Sequence, residues 1–450
     1  MEQKVKKSLE VIERETAALG SAAAFTRSYP LVAEEGKGSY ITDVDGNRYL
    51  DLGGGAAVTA TGHCHPEVIA SIKRQADKLI HNCFSETSNE VTVNLAETLI
   101  NLTPGDFAKK IVFGLSGSDA NECVAKLAPY YTKKSRFVSF IGAYHGQSLG
   151  ASALSGYTPQ SLFPNYIPVT KVPYAYCYRC PFKLIYPQCD LHCVKFIEDY
   201  ILQTISPYDD TCALIIEPIM SDFGNIVPPD DYIPALKRMC AKYGILFVVD
   251  EVKTGFGRTG KMFAVEHSGV VPDMMTMGKP IASGMPLSAC VAKAEILDSA
   301  VAGHLFTTGG NPVCCAAALA TIDVIRKEKL IENAANMGDY FMQQLQELKA
   351  RSKIVGDVRG KGMILGIEFV KDRKTKEPAS TETAKLCYRA WEKGIVIGYM
   401  GLYSNIIEIT PPLNITKEDV DLAVKVLSES IEDVEQGRVT DEPIARYKGH

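Results

Sequence analysis

The sequence predicts an α/β protein: a mostly parallel, doubly wound sheet in a large domain, accompanied by a smaller α+β domain. Three observations carry this. Several apolar runs are too continuous to alternate, as in strands buried on both faces. Helix-patterned stretches separate these runs from about residue 65 to about 320, giving a βαβ rhythm. Polar, chemically useful residues end the runs, on the side where open α/β sheets bind their ligands.

Taken in order, the chain opens with a charged amphipathic segment, Met1-Glu2-Gln3-Lys4-Val5-Lys6-Lys7, without the apolar stretch and small-residue cleavage site of a secretory signal. Residues 39–50 place two aromatic and β-branched segments on either side of Asp45-Gly46, a hairpin signal. The run 110–113 leads into Ser116-Gly117-Ser118-Asp119, and a helical pattern follows over 121–132. The run 212–216 leads into Glu217-Pro218, with a helix over 231–242. Residues 244–249 end at Asp250, and 274–278 end at Lys279. One cleft could collect all of these strand ends. After about 321 come a long helical pattern, the strand-like stretches 358–368 and 406–412, and a final amphipathic helix. The expected domains are therefore 1–60 as the N-terminal segment of the small domain, 61–320 as the large domain and 321–450 as the remainder of the small domain. Residues from about Gln436 are polar and read as a surface tail.

At 450 residues the chain is long for one compact core. A formal charge of −5 offers no electrostatic case for nucleic acid or an anionic membrane surface, and no apolar stretch reaches transmembrane length. A cytoplasmic protein is expected. Thirteen cysteines, an odd number scattered along the chain, read as reduced thiols; Cys314 and Cys315 lie in an alanine-rich helical stretch as packing residues. Cys177, Cys180, Cys189 and Cys193, with His192 among them, have a spacing that could bind structural zinc. The second pair is spaced less typically, so the default is metal-free thiols and no metal is assigned.

A lysine and an aspartate that each end a buried strand are what a pyridoxal phosphate site needs, and Lys279 and Asp250 are such a pair. Further stretches narrow the reading: Gly62-His63-Cys64-His65-Pro66, Ser116-Gly117-Ser118-Asp119-Ala120-Asn121-Glu122, Tyr144-His145-Gly146, Glu217-Pro218-Ile219, the segment from Asp250-Glu251-Val252-Lys253 to Arg258-Thr259-Gly260, and Thr307-Thr308-Gly309-Gly310-Asn311-Pro312. In order and spacing these resemble the class III (ornithine/GABA-type) aminotransferases of pyridoxal phosphate fold type I, over essentially the whole chain.

The resemblance implies a mostly parallel seven-stranded sheet flanked by helices, with a smaller α+β domain built from both termini. It implies that Lys279 binds the cofactor aldehyde and then moves a proton between the substrate Cα and the cofactor C4′. Asp250 would pair with the pyridinium nitrogen. Gly117 and Ser118 would hold the phosphate at a helix N-terminus, and Tyr144 would stack on the ring in a loop fixed by His145 and Gly146. Glu217 would anchor the site through hydrogen bonds. Thr307 would reach the cofactor of a second subunit, so a homodimer is implied. Arg258 and Arg359 read as structural or positioning residues.

Two departures stand out. Lys253 replaces the family's glutamine toward the cofactor's ring oxygen. Glu408 stands where glutamate-using members carry an arginine for the substrate carboxylate, and the usual partner of that arginine is matched by Asp222. Two acids would thus face each other unless a cation intervenes, which puts 2-oxoglutarate in doubt as acceptor and leaves pyruvate, or an arginine from another loop such as Arg27, as possibilities; Lys253 is another candidate cation.

The leading functional reading is a transaminase moving an amino group from an ω-amino compound (4-aminobutyrate, β-alanine or taurine type) or an α-amino acid to a 2-keto acid. The alternative is an amino-acid racemase or epimerase, because residues 282–288 and 304–312 also look like branched-chain amino-acid epimerases. A non-catalytic protein on this fold is disfavoured by retention of Lys279 and Asp250. A dinucleotide dehydrogenase is disfavoured because no Gly-x-Gly-x-x-Gly follows an early strand.

Overall fold

The structure, a computed structural model, describes residues 5–20, 22, 27–157 and 164–447. The chain divides into two compact units, one formed by Pro66–Ile331 and the other by Met1–His65 with Glu332–His450.

The terminal unit begins with strands β1 (Ala33–Lys37), β2 (Tyr40–Asp43) and β3 (Arg48–Asp51). β2 and β3 form the hairpin around Asp45-Gly46, with Tyr40 opposite Leu50 and Thr42 opposite Arg48. Asp43 fixes the turn by accepting from the backbone N–H groups of Asp45 and Asn47, at 3.0 and 2.8 Å, and Gly46 takes the positive φ of 86° that the turn requires.

The central unit holds a seven-stranded sheet of β4 (Lys109–Gly114), β5 (Arg136–Phe140), β6 (Val169–Val172), β7 (Thr211–Ile216), β8 (Leu246–Asp250), β9 (Met274–Met277) and β10 (Ser288–Lys293), in the spatial order β4-β10-β9-β8-β7-β5-β6. β5–β6, β5–β7, β7–β8 and β8–β9 are parallel pairs. β10 runs antiparallel to both β4 and β9. Every residue of β7, β8 and β9 is buried, which accounts for their continuous apolar character. The helix Gly117–Thr132 lays Cys123, Val124, Leu127 and Ala128 at helical spacing against Phe137, Ala213, Ile215, Val248 and Met274, forming the core on that face of the sheet.

The C-terminal part of the other unit contributes β11 (Val355–Lys361), β12 (Ile364–Asp372), β13 (Glu377–Pro378), β14 (Ile395–Val396), β15 (Gly398–Met400) and β16 (Ile406–Ile409). β14 extends the N-terminal hairpin by pairing in parallel with β3, so Ile395 lies opposite Leu50. β11, β12, β16 and β15 form a second antiparallel sheet, to which β13 adds through β12. Glu408 is buried in β16, opposite Gly366 and Gly398. The long helix Lys417–Glu435 starts at a capping box between Thr416 and Asp419. The segment after Gln436 is more than the polar tail expected of it: a short helix, Glu442–Arg446, follows, and Val439 and Ile444 are buried. Ion pairs of Arg438 with Asp433 and of Asp441 with Lys385, and stacking of Tyr447 on Tyr388, add to these two apolar side chains in holding it down. No described helix is long and apolar enough to cross a membrane.

Candidate active site

Parallel strands send their C-terminal ends to one side of a sheet, and here the ends of β4, β5, β7, β8 and β9 line one cavity of about 180 Å³. Its lining includes Gly117 and Ser118 after β4, Tyr144, His145 and Gly146 after β5, Glu217, Ser221 and Asp222 after β7, Asp250, Val252 and Lys253 at and after β8, and Lys279 after β9. Of the catalytic and cofactor-binding residues expected from the sequence, all but Thr307 are in this lining. Thr307 is exposed on the loop before the helix Pro312–Lys327.

Asp250 is almost completely buried at the end of β8. Its Oδ2 accepts from His145 Nδ1 at 2.7 Å and from Asn121 Nδ2 at 2.8 Å. Its Oδ1 accepts from the Val252 backbone N–H at 2.9 Å. His145 therefore does more than shape the Tyr144 loop, because it orients the carboxylate itself. Asn121, not singled out as a site residue from the sequence, also donates to the His145 carbonyl at 2.7 Å and accepts from Thr276 Oγ1 at 2.9 Å. The signal was available: Asn121 is four residues beyond Gly117 in one helix, and so faces the same way.

Lys279 follows β9 in a short turn and has a positive φ of 38°. A non-glycine residue in that region is held by its surroundings rather than by its own preference, and such positions cluster at functional sites. Glu217 is buried and ties two loops together, accepting from the N–H groups of Tyr144 and Ser221 at 3.0 Å each. Burial, reinforced by Asp250 and Asp222 although opposed by His145, pushes its carboxyl up to about 7. Tyr144 is half-buried and meets Tyr157 edge to face at 6.4 Å.

The helix Gly117–Thr132 enters through a capping box in which Ser116 Oγ accepts from the Asp119 N–H. The N–H groups of Gly117 and Ser118 stand in its first turn, which has no intrahelical acceptors and carries the positive end of the helix dipole. A Cβ on Gly117 would lie 2.7 Å from Val252, and one on Gly146 2.4 Å from Ser118 Oγ. Glycine is thus what lets the loops after β4, β5 and β8 close around this end of the cavity.

The two alternative cations are both engaged. Lys253 Nζ lies 3.0 Å from Asp222 Oδ1, so the cation that Asp222 needed comes from the next strand. Arg27 pairs with Glu15. Arg359 binds Glu368 and Asp357 at 2.8 and 2.9 Å, and Arg258 is fully buried; neither lines the cavity. His63, in the Gly62–Pro66 motif, lies 2.7 Å from Asp51 and is outside the cavity lining. Cys177, Cys180, Cys189, His192 and Cys193 line a separate, small apolar cavity, yet no group of three or more His, Cys, Asp or Glu residues among the described residues is arranged to hold a metal.

The donor set fits pyridoxal phosphate. An anion-binding helix start, a buried carboxylate held by hydrogen-bond donors, an aromatic side chain and a lysine surround one cavity, which matches the phosphate, pyridinium, ring and aldehyde of that cofactor.

Comparison with known proteins agrees. The family model described as Aminotransferase class-III matches residues 22–431. The chain is 41% identical to a leucine/methionine racemase of Thermococcus litoralis, over 98% of this chain and 99% of that protein. It is 42% identical to an isoleucine 2-epimerase of Lentilactobacillus buchneri, covering 92% of each. It is 36% identical to a 5-aminovalerate aminotransferase of Pseudomonas aeruginosa, over 90% of this chain and 94% of that one. Among solved structures, a Bacillus anthracis aminotransferase superposes with a TM-score of 0.87 at 32% identity, over 95% of this chain and 99% of that chain. The ω-transaminase of Pseudomonas jessenii in complex with PMP superposes with a TM-score of 0.85 at 30% identity, over 91% and 93%. The fold, the cavity and these likenesses agree that the chain belongs to the class-III aminotransferases, pyridoxal-phosphate-dependent enzymes of fold type I that act on small amines and keto acids.

Proposed function

We propose that the enzyme transfers an amino group from an amino acid or ω-amino compound to a 2-keto acid, and that Lys279 is its proton-transfer base. The observation that carries this is the convergence of Lys279 and the fixed carboxylate of Asp250 at the ends of adjacent strands, β9 and β8, in one cavity. Pyridoxal phosphate, when bound, supplies the aldehyde that takes up the amino group and the ring that accepts electrons as a bond to the amino-bearing carbon breaks. Asp250 would hold its carboxyl group toward the ring nitrogen and its proton. Gly117 and Ser118 hold the phosphate, Tyr144 packs on the ring, and Glu217 fixes the loops that carry Tyr144 and Asp222. Lys279 takes the proton from the amino-bearing carbon and holds it until it is returned.

Where that proton returns separates transamination from racemisation, and one observation supports racemisation as the alternative reading. Identity is 41% and 42% to the racemase and epimerase named above, against 36% to the 5-aminovalerate aminotransferase. In racemisation the proton goes back to the same carbon on either face, and no keto acid is consumed.

The same reading places the enzyme in the cytoplasm, supported by thirteen unpaired thiols, and makes it a homodimer in which Thr307, exposed in the single chain, reaches the partner's cofactor. Incubating the purified enzyme with amines and amino acids, with and without keto acids, tests the function: amino product that depends on keto acid identifies the transaminase, and loss of optical rotation without keto acid the racemase. Lys279→Ala should lower either activity roughly 10²–10⁴-fold or more; a variant within tenfold of wild type would overturn the role given to Lys279.

A further inference from the structure

We propose that Lys253 receives the carboxylate of an amino-acid substrate, and that Asp222 is the group this carboxylate displaces. The inference rests on the reading of the cavity as a pyridoxal phosphate site for amino acids and adds its means of recognising the acid.

Among the described residues lining the cavity, Lys253 and Lys279 are the only lysines or arginines. Lys279 is committed to the proton, so an anionic group of the substrate in this cavity has Lys253 to meet. The pair with Asp222 is uneven: the Lys253 side chain is 6% exposed and that of Asp222 is 23% exposed. Asp222 is the partner that water can reach, whereas a buried ammonium left without a carboxylate is expensive.

Asp222 sits in a short turn clasped by the backbone bridge between Met220 and Ile226, with Gly224 at a positive φ of 119°. Lys253 is on the turn after the adjacent parallel strand. β7 and β8 end side by side, with Ile216 opposite Val249, which brings the two side chains together.

Charge balance gives the pair its purpose. Glu217, Asp222 and Asp250 already line the cavity, and a further carboxylate added to them would be repelled. Replacing Asp222 on Lys253 by the substrate's carboxylate exchanges one negative charge for another at the ammonium. An amine without a carboxylate cannot make the exchange and leaves the pair closed. The predicted class is therefore α-amino monocarboxylic acids in preference to the corresponding simple amines.

The test is a binding measurement on the holoenzyme: the change in the bound cofactor's absorbance on adding leucine or 3-methylbutylamine, its counterpart without the carboxylate. Lys253→Met should weaken leucine about tenfold or more beyond whatever change it makes in the amine, so the ratio of the two affinities is the readout. Lys253→Arg should retain leucine binding, which also controls for loss of fold. Asp222→Asn should tighten leucine several-fold. Equal weakening of leucine and amine in Lys253→Met, or unchanged leucine affinity in a variant with a normal cofactor band, would overturn the exchange alone. So would an Asp222→Asn variant that weakens leucine as much as Lys253→Met does. A wild-type protein without any cofactor band would overturn the cofactor reading, and the exchange with it.

Discussion

Asp250 receives hydrogen bonds from the helix after β4, the loop after β5 and its own turn, so its orientation is set by three segments distant in sequence. Asp250→Asn keeps the shape but turns an amide N–H toward one of these donors, an unmade buried bond costing about 1–3 kcal/mol. The variant should fold, hold the cofactor more weakly and lose most of its turnover; cofactor titration and a rate assay check both. Glu251, the next residue, is fully buried, accepts from Thr254 Oγ1 and from the Val265 N–H, and has its carboxyl pushed up by burial to about 7. The unfolded chain releases this proton near the ordinary value of 4.5, while the folded protein keeps it to about 7. The stabilisation present below about 4.5 is therefore lost as pH rises through about 7, a change on the order of 3 kcal/mol. A glutamine can accept from Val265 and donate to Thr254, so Glu251→Gln should flatten stability across this window in urea melts; curves parallel to wild type would contradict it. Lys279 and Asp250 were legible in the sequence because each ends a continuous apolar run. The Lys253–Asp222 pair was not, since nothing in two separated loops records that their side chains meet.

At the scale of elements, runs buried on both faces announced themselves: β7, β8 and β9 contain no exposed position to break the pattern. The antiparallel course of β10 did not show, because Ser288–Lys293 is as buried as its parallel neighbours except at its last residue, and burial carries no sign of direction. The segment after Gln436 misled for the opposite reason, since its two buried side chains are scattered among polar ones. Gly146 belongs to the loop after β5 and combines a positive φ of 133° with a neighbour 2.4 Å from where a Cβ would be. Gly146→Ala should push that loop away from Ser118 and lower cofactor affinity by about tenfold or more, with the far-ultraviolet dichroism unchanged. Cofactor affinity equal to wild type would show that the loop yields without cost.

For the whole molecule, thirteen free cysteines form no disulfide. Burial pushes the Cys193 and Cys315 thiols up to about 12, so most thiols should be slow to react in the native state. Thiol titration without reductant should find Cys64 and Cys177, the exposed ones, reacting first, and all thirteen reacting in denaturant; a lower total would reveal a disulfide. The family was readable from the order of the motifs along the chain, whereas the order of the strands in the sheet, β4-β10-β9-β8-β7-β5-β6, differs from their order in sequence. The strand order itself has a consequence for how the protein is made. β4, which presents Gly117 and Ser118, pairs with β10 alone in its sheet, and 173 residues lie between Gly114 and its partner strand's first residue, Ser288. A ribosome adding about 5–20 residues per second needs roughly 10–30 s to cover that distance. The edge strand β4, ahead of the proposed phosphate-binding Gly117 and Ser118, therefore waits, unpaired, until most of the chain has been synthesised. A nascent chain halted before Ser288 should leave β4 open to chaperones, and the site for the cofactor is completed late in synthesis.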